Sequence, residues 1–389
     1  MNPVTVEQAL DLLCRSIQPI EAAERLPLEL ACGRIAAETV LSQLPQPPFD
    51  RSAMDGYALR SADLNESLTL TLQNSGKALL PCHAMPILTG DQLPKGADCM
   101  IQQEAVAVID GQGQLRFAPK AGQNVCPSGS EMKAGACLLR CGERITPAHI
   151  GLLAADGIDH AAVWRQPKVS VISIGNELRL PGEKLGENEI YDCNAPMLTA
   201  RLHSLLFKTE YHLCRDDKAE LQGLLGNALQ SSDAVITIGG GAVGSTDLMP
   251  EIMHTLAEPL LFDHVMLKPG SHIAAGMLCG KPLFSLSGNP FAAVVTFELL
   301  CLPALLHLAG AERCTPRRAT LRLQGSFAKA SKRRRFLRAV ATGDTVMLPV
   351  CSHSSGSLSG LAGCNCLVDV PAGSPALTDG MMVEVVYLV

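Results

Sequence analysis

The sequence predicts a multidomain α/β plus β chain: a central doubly wound α/β domain, an inserted β-rich domain and a C-terminal β-barrel-like domain. Three observations predict this. Between Pro167 and about residue 312, short apolar runs alternate with stretches of helical periodicity, the pattern of consecutive βαβ units. Residues from about 42 to 135 are broken by many glycines and prolines into short β-like pieces. After about 312, strand-like runs recur between Gly, Ser and Pro turns with no helical segment between them. The length of 389 residues accommodates several domains at roughly 100–200 residues each.

Taken in order, residues 5–17 predict an amphipathic helix, because Ala9, Leu10, Leu13, Cys14 and Ile17 recur at helical spacing. Thr5 followed by Gln8 fits a capping box. The apolar stretch Leu26 to Val40 ends near Pro45, Pro47 and Pro48, which mark a domain edge. Ser67–Leu72, Met100–Gln102 and Ala105–Ile109 read as strands of the β-rich piece. Ile150 and Leu152–Ala155 look helical, and a short strand follows at Ala161–Trp164. The expected domains are therefore 1–41 with 136–166 as one discontinuous domain, 42–135 inserted into it, 167–312 as the α/β domain and 313–389 as the terminal β domain. Within the α/β domain, strands are expected at Lys168–Ile174, Lys208–Cys214, Asp233–Ile238 and Pro282–Leu286. Helices are expected at 195–207, 217–230, 246–257 and from Phe291 to Leu308. Strands of the last domain are expected at Thr320–Leu323, Phe336–Val340, Thr345–Val350, Cys364–Val370 and Met381–Val389.

Composition narrows the function classes. Hydrophobic residues make up 47% of the chain and aromatics only 4%, so the core is built mainly from aliphatic side chains. The formal net charge of -6 argues against bulk binding to nucleic acid or to an anionic membrane. The run Lys332-Arg333-Arg334-Arg335 reads as a solvated turn or strand face. The Phe291–Leu308 stretch contains Glu298, Pro303 and His307, so a buried core helix is expected rather than a membrane span. The N-terminal residues lack the basic and apolar regions of a secretory signal, and the expected location is the cytoplasm. The 15 cysteines form no C-x-x-C pair; they read as reduced, mostly structural thiols, the Cys364 and Cys366 pair included.

Chemistry is expected where α/β strands end, since ligands bind beyond the carboxyl ends of such strands. Four polar loops fall there: Gly175-Asn176-Glu177, Arg215-Asp216-Asp217, Gly239 through Asp247, and Ser287-Gly288-Asn289-Pro290. Glycines allow close approach of a bulky ligand, and amides at a helix start can hold an anion. The third and fourth loops therefore suit phosphate, through Gly239, Gly240, Gly241, Gly244 and Ser245 in one and Ser287, Gly288, Asn289 and Pro290 in the other. Glu177, Asp216, Asp217 and Asp247 add carboxylates, which fits a hard cation such as Mg²⁺ between them and the phosphate. Asp216 is equally readable as the N-cap of the following helix. The third loop is neither a P-loop nor a dinucleotide fingerprint.

The string Pro47-Pro48-Phe49-Asp50-Arg51-Ser52-Ala53-Met54-Asp55-Gly56-Tyr57-Ala58 resembles a signature of the molybdopterin molybdenumtransferase family, which includes MoeA proteins and the C-terminal domain of gephyrin. The resemblance continues in order through Leu88-Thr89-Gly90, Gly122-Gln123-Asn124, Ser173 to Leu178, Ile190-Tyr191-Asp192-Cys193-Asn194, Arg215-Asp216-Asp217, the Gly239–Asp247 loop, Lys268-Pro269-Gly270 and Gly288-Asn289-Pro290. It implies four domains, a homodimer whose discontinuous domain mediates dimerisation, and an α/β domain that holds the pterin nucleotide. The partner's β-rich domain would help close the site. The implied reaction replaces AMP with molybdate on adenylylated molybdopterin, assisted by Mg²⁺. A molybdopterin adenylyltransferase is the implied supplier of that substrate. Asp55, Thr89, Glu177, Asp247 and Lys268 fall on catalytic motif positions. Glu177, Asp216 and Asp247 fall on the metal-binding cluster.

The chain departs from the family pattern at several anion-facing positions. An arginine run with Gly-Glu-Asp is replaced by Cys126-Pro127-Ser128-Gly129-Ser130-Glu131. Asn176 stands for an Asp, Ala242 for a Ser, Ser271-His272 for Lys-Pro, and Ser287 for a Pro. Each lost charge-assisted bond costs ~1.5–3 kcal/mol of anion affinity. The alternative to an active enzyme is a divergent, non-catalytic paralogue that binds molybdopterin or its nucleotide as a scaffold or carrier. A nucleotide-dependent enzyme of other chemistry on the same fold is a third reading.

Overall fold

Lys168–Ile174 is buried along nearly its whole length, because its side chains face two cores at once. In the computed structural model, which describes residues 1–64, 67–74, 76–240, 248–349 and 354–388, this segment is strand β1. It is followed by α1 (Asn194–Ser204), β2 (Lys208–Cys214), α2 (Lys218–Ser231), β3 (Ala234–Gly239) and α3 (Leu248–Leu256). Then come β4 (Leu260–Phe262), β5 (Ala274–Leu278), β6 (Lys281–Leu286) and the long helix α4 (Pro290–Leu308). The sheet order is β2-β1-β3-β6-β5-β4. The first four strands are parallel, and β5 and β4 add an antiparallel edge. Val169 and Val171 pack with α1 and α4 on one face, while Ile172 and Ile174 pack with α2 and α3 on the other. Alternation along β1 thus makes the sheet doubly wound.

Local rules set the helix ends. Asp217 caps α2 by accepting the Glu220 amide at 2.8 Å. The cap is therefore Asp217 and not Asp216, and the helix begins one residue later than the apolar spacing suggested. α4 opens with Pro290, whose missing N–H would have had no intrahelical partner anyway. It passes through a π turn at Phe297–Cys301. The helix is long and apolar enough to cross a bilayer, yet most of it is buried inside the protein. Glu298, buried in its middle, accepts from Arg201 Nε at 2.7 Å. Burial pushes this carboxyl up, against the hydrogen bond from Arg201. The N-terminal helix, Val6–Ser16, carries the expected capping box and packs Ala9 and Leu13 into the same core as α4.

The C-terminal strands are β7 (Arg318–Gln324), β8 (Arg334–Thr342), β9 (Thr345–Met347), β10 (Cys366–Val370) and β11 (Met382–Tyr387). Their pairings run β8-β9-β7-β11-β10 and return to β8, so the sheet closes on itself as a barrel. Closure leaves no free edge within the ring.

Contacts divide the chain into two compact units, residues 1–38, 141–146 and 160–389, and residues 39–140 and 147–159. The second unit has its own six-stranded sheet with a small core around Leu59, Cys99 and Ile101. The Asp156 carboxylate ties its segments by accepting from Ser42 Oγ at 2.7 Å and from the Gln43 amide at 2.8 Å. Gly56 lies in the Gly56–Leu59 strand, where a Cβ would sit 2.0 Å from the Ile101 carbonyl oxygen. No side-chain rotation relieves a clash with backbone. Gly56→Ala is predicted to destabilise this unit by roughly 3 kcal/mol. Chemical denaturation with limited proteolysis of residues 39–140 checks this, and an unchanged midpoint would contradict it.

Candidate functional site

Parallel pairing brings four strand ends to one edge. Ile174 lies opposite Cys214 on one side and Gly239 on the other, and Ile238 lies opposite Leu286. At a strand spacing of roughly 4.8 Å, the four ends span about 14 Å. The loops that leave them are the four singled out in the sequence.

The first two loops are joined. The Asn176 amide donates to Asp216 Oδ2 at 3.1 Å, and the Asp216 amide donates to Asn176 Oδ1 at 3.2 Å. Asn176 makes this reciprocal pair without adding a second negative charge beside Asp216, as an aspartate there would. The Glu177 carboxylate folds back over Gly175, where a Cβ would meet Glu177 Oε2 at 2.7 Å. Gly175 therefore leaves the space the carboxylate uses. Asp217 is spent on capping α2.

The third loop begins with two glycines of positive φ, Gly239 at 91° and Gly240 at 69°. A Cβ on Gly239 would lie 2.4 Å from the Ile174 carbonyl oxygen. Gly241, Gly244, Ser245 and Asp247 lie outside the described residues. In the fourth loop, Gly288 approaches Gly239 closely, at 3.7 Å from its Cα to a Cβ built on Gly288. The Ser287 hydroxyl accepts the Asn289 amide at 3.3 Å. The expectation that the start of α4 offers free amides to an anion needs correction. Pro290 has no N–H, and the Phe291 amide donates to the Ser355 carbonyl at 2.9 Å.

The fourth loop is held by residues that sequence reasoning quoted but gave no role. Asn194 Nδ2 donates to the Gly288 carbonyl at 2.7 Å. Asp192, buried, accepts from the Asn194 amide at 2.9 Å and the Ala195 amide at 3.3 Å through Oδ1. Its Oδ2 accepts the Tyr211 hydroxyl at 2.8 Å. Burial and the neighbouring Asp192 push that hydroxyl up, so it remains a donor. The signal was present: an Asp just ahead of a predicted helix is a candidate acceptor for its first, unpaired amides.

Lys268 lies exposed on the short strand Leu267–Lys268, which pairs with the start of β8. The following Gly270 packs on α4, and a Cβ there would sit 2.4 Å from Thr296 Cγ2. This places the Lys268-Pro269-Gly270 turn alongside the helix that follows the fourth loop. The neighbouring basic run is partly neutralised. Arg334 donates to both oxygens of Asp369 and to Glu7, while Lys332 and Arg333 are exposed. A cavity of about 650 Å³ borders this run, lined in part by Glu7, His264, Arg318 and Arg333. None of the site residues expected from sequence lines it.

In the second unit, Asp55 Oδ1 accepts both the amide and the hydroxyl of Thr89, each at 2.7 Å. These hydrogen bonds hold the Asp55 carboxyl below its usual range. The two catalytic candidates of this unit thus form one exposed pair. The segment Cys126–Glu131 carries no cationic side chain, and Ser128 turns its amide to Asp50 Oδ1 at 2.7 Å.

Among the described residues, no group of three His, Cys, Asp or Glu is gathered as for a metal. Glu177 and Asp216 supply two hard oxygen donors, and Asp247, the third expected ligand, lies outside the described residues. The buried cysteines are held as thiols: burial pushes Cys99 up to about 12, and Cys214 and Cys366 up to about 11. Thiols with such values are poor metal ligands.

Two outcomes follow from this geometry. Asp192→Ala is predicted to lower stability by about 3 kcal/mol, and Tyr211→Phe by about 1 kcal/mol; equal losses in denaturant unfolding would contradict the shared role of the carboxylate. Thr89→Ala is predicted to raise the Asp55 pKa towards the ordinary carboxylate value, read by NMR titration of the Asp55 side chain. An unmoved titration would show that the Thr89 hydroxyl does not hold it.

Comparison with known proteins gives matches along the chain. Family profiles match at residues 4–157 for the MoeA N-terminal region (domain I and II), 170–307 for a probable molybdopterin binding domain and 320–388 for the MoeA C-terminal region (domain IV). The molybdopterin molybdenumtransferase of Staphylococcus aureus (strain COL) is 32% identical over 99% of this chain and 96% of its own length. That of Staphylococcus epidermidis (strain ATCC 12228) is also 32% identical over 99% of this chain and 96% of its own length. The crystal structure of a molybdopterin biosynthesis MoeA protein from Pyrococcus horikoshii OT3 matches with a TM-score of 0.86 at 27% identity, covering 99% of this chain and 100% of that one.

Proposed function

The chain belongs to the molybdopterin molybdenumtransferase family, enzymes of molybdenum cofactor biosynthesis, and from that premise we propose that it inserts molybdate into adenylylated molybdopterin and releases AMP, with Mg²⁺ assisting. The observation that carries the reading is the in-register assembly of strand ends, which gathers two carboxylate loops and two glycine loops on one edge.

In this reading, the amides of Gly239 and Gly240 and the Ser287–Asn289 loop receive the phosphate of the substrate, with Gly241, Gly244 and Ser245 completing the third loop and Pro290 fixing where the fourth one ends. Asp216 and Asp217 border the same pocket. Glu177, Asp216 and Asp247 hold the cation; all are oxygen donors, the type that Mg²⁺ prefers. When bound, the cation neutralises charge on the phosphate whose bond is cleaved. Lys268 supplies positive charge to molybdate, a dianion. Asp55, whose carboxyl the Thr89 hydrogen bonds hold below its usual range, is the acidic group that the β-rich domain brings to the proposed reaction. The dimer, the contribution of a partner's β-rich domain, the domain limits 1–41 with 136–166, 42–135, 167–312 and 313–389, and supply by a molybdopterin adenylyltransferase belong to the same proposal, as does a cytoplasmic location.

A second reading has one observation in its favour. The 126–131 segment offers no cation, which suits a paralogue that binds the nucleotide without turning it over. Incubation with adenylylated molybdopterin, molybdate and Mg²⁺ separates the two. The enzyme reading predicts AMP release and an active cofactor, and the scaffold reading predicts tight binding without AMP. For the enzyme, Glu177→Gln and Asp247→Asn are each predicted to lower Mg²⁺-dependent turnover by roughly 100-fold while leaving the unfolding midpoint nearly unchanged. Wild-type rates in both variants would remove these carboxylates from the mechanism.

A further inference from the structure

Arg338 is the bulkiest fully buried side chain of the protein among the described residues. An arginine cannot shed its proton in a protein interior, so its burial must be compensated by partners. Here Nη2 donates to the Ser354 carbonyl at 2.7 Å and to the Ser357 carbonyl at 2.8 Å. The guanidinium carbon lies 3.9 Å from the centroid of the Phe291 ring. One side chain of the barrel strand β8 therefore holds both ends of the 354–357 turn and the first turn of α4.

The turn in its place completes the start of α4. The Ser355 carbonyl accepts the Phe291 amide at 2.9 Å. A Cβ built on Gly356 would lie 3.5 Å from Asn289 Oδ1, so the turn also sits against the fourth loop. From the opposite side, Asn194 grips the Gly288 carbonyl. The loop is thus held between a side chain of the α/β domain and a turn of the barrel.

We propose that Arg338 is a positioning residue for substrate binding: by clamping the 354–357 turn and the Phe291 ring together, it fixes Gly288 and Asn289 where they meet the anionic substrate. The inference rests on the reading of the 287–290 loop as a phosphate site. It touches no reacting atom, so its effect falls on substrate affinity and not on the chemical step. Nη2 alone reaches both carbonyls while the flat guanidinium also lies over the Phe291 ring, a combination that an ammonium on a flexible stem does not reproduce.

The test uses the full chain with Arg338→Lys and Arg338→Met, and Phe291→Leu as a third variant that keeps the arginine and removes only its aromatic face. Amide hydrogen exchange at Phe291, measured without substrate, reads the clamp; KM and kcat for AMP release from adenylylated molybdopterin read its consequence. Expected are exchange of the amide at position 291 faster by roughly tenfold in all three variants, unaltered exchange in β1 and β3, and KM raised by about three- to tenfold with kcat within about twofold. Slow exchange at Phe291 that persists in the Arg338 variants overturns the clamp. A loss in kcat at unchanged KM overturns the positioning role. Failure of the wild-type protein to bind the substrate at all would instead overturn the reading of the loop, and the exchange measurement would still decide the clamp.

Discussion

Ile174 pairs with Cys214 on one flank and Gly239 on the other, and this parallel register decides what can meet at the rim of the sheet. A side-chain period of two means that a slip of one residue would turn every buried side chain of β1 to the opposite face. Val169 and Val171 would leave the core shared with α1 and α4, and Ile172 and Ile174 the one shared with α2 and α3. The burial of aliphatic side chains on both faces therefore fixes the register, and the register in turn aligns the Glu177, Asp216, Gly239 and Gly288 loops. The placement of the site is a consequence of packing some distance from it.

Polar contacts then refine what packing has gathered. Asp192 joins the start of α1 to Tyr211 of β2, and Asn194 extends that link to the Gly288 carbonyl. The start of α4, which a simple view of helix ends would give to a ligand, is occupied by Pro290 and by the bond from Phe291 to Ser355. Gly239 and Gly240 hold positive φ, and Gly239 has room for no side chain. The barrel contributes through one buried arginine and one turn. The second unit has an exposed carboxylate of its own, Asp55, which the Thr89 hydrogen bonds hold below its usual range.

Much of this was legible in the sequence. Lys168–Ile174 and Lys208–Cys214 are strands with the bounds their apolar runs indicated, because Pro167 and Gly175 punctuate the first and the flanking helices the second. The capping box at Thr5 was visible for the same local reason. The antiparallel edge was not: Leu260–Phe262 is too short to show alternation, and Ala274–Leu278 has alanines and a glycine in place of strand formers. These strands exist because the β6 edge is there to receive them. The barrel-like character of the last domain was read from its strand runs, whereas the pairing that closes it, β8 with β10 across a distant stretch of chain, needed the structure. Arg338 was invisible for a different reason. Composition rules place arginine outside, and the carbonyls of Ser354 and Ser357 with the Phe291 ring help make its burial tolerable. At the site, the loops were found from strand ends and glycines, but the assignment of Asp217 as the cap and Asp216 as the partner of Asn176 needed the backbone geometry.

The claim that most else depends on is that the anionic end of the substrate sits on the shared rim of β1, β3 and β6. Hydrogen exchange of the protein with and without a saturating adenylylated pterin measures this directly. The account predicts slowed exchange at Gly175, Gly240, Gly288 and Asn289 together, with little change at the amino ends of the same strands. Protection confined to the opposite edge of the sheet, or to the cavity beside Arg333, would contradict it.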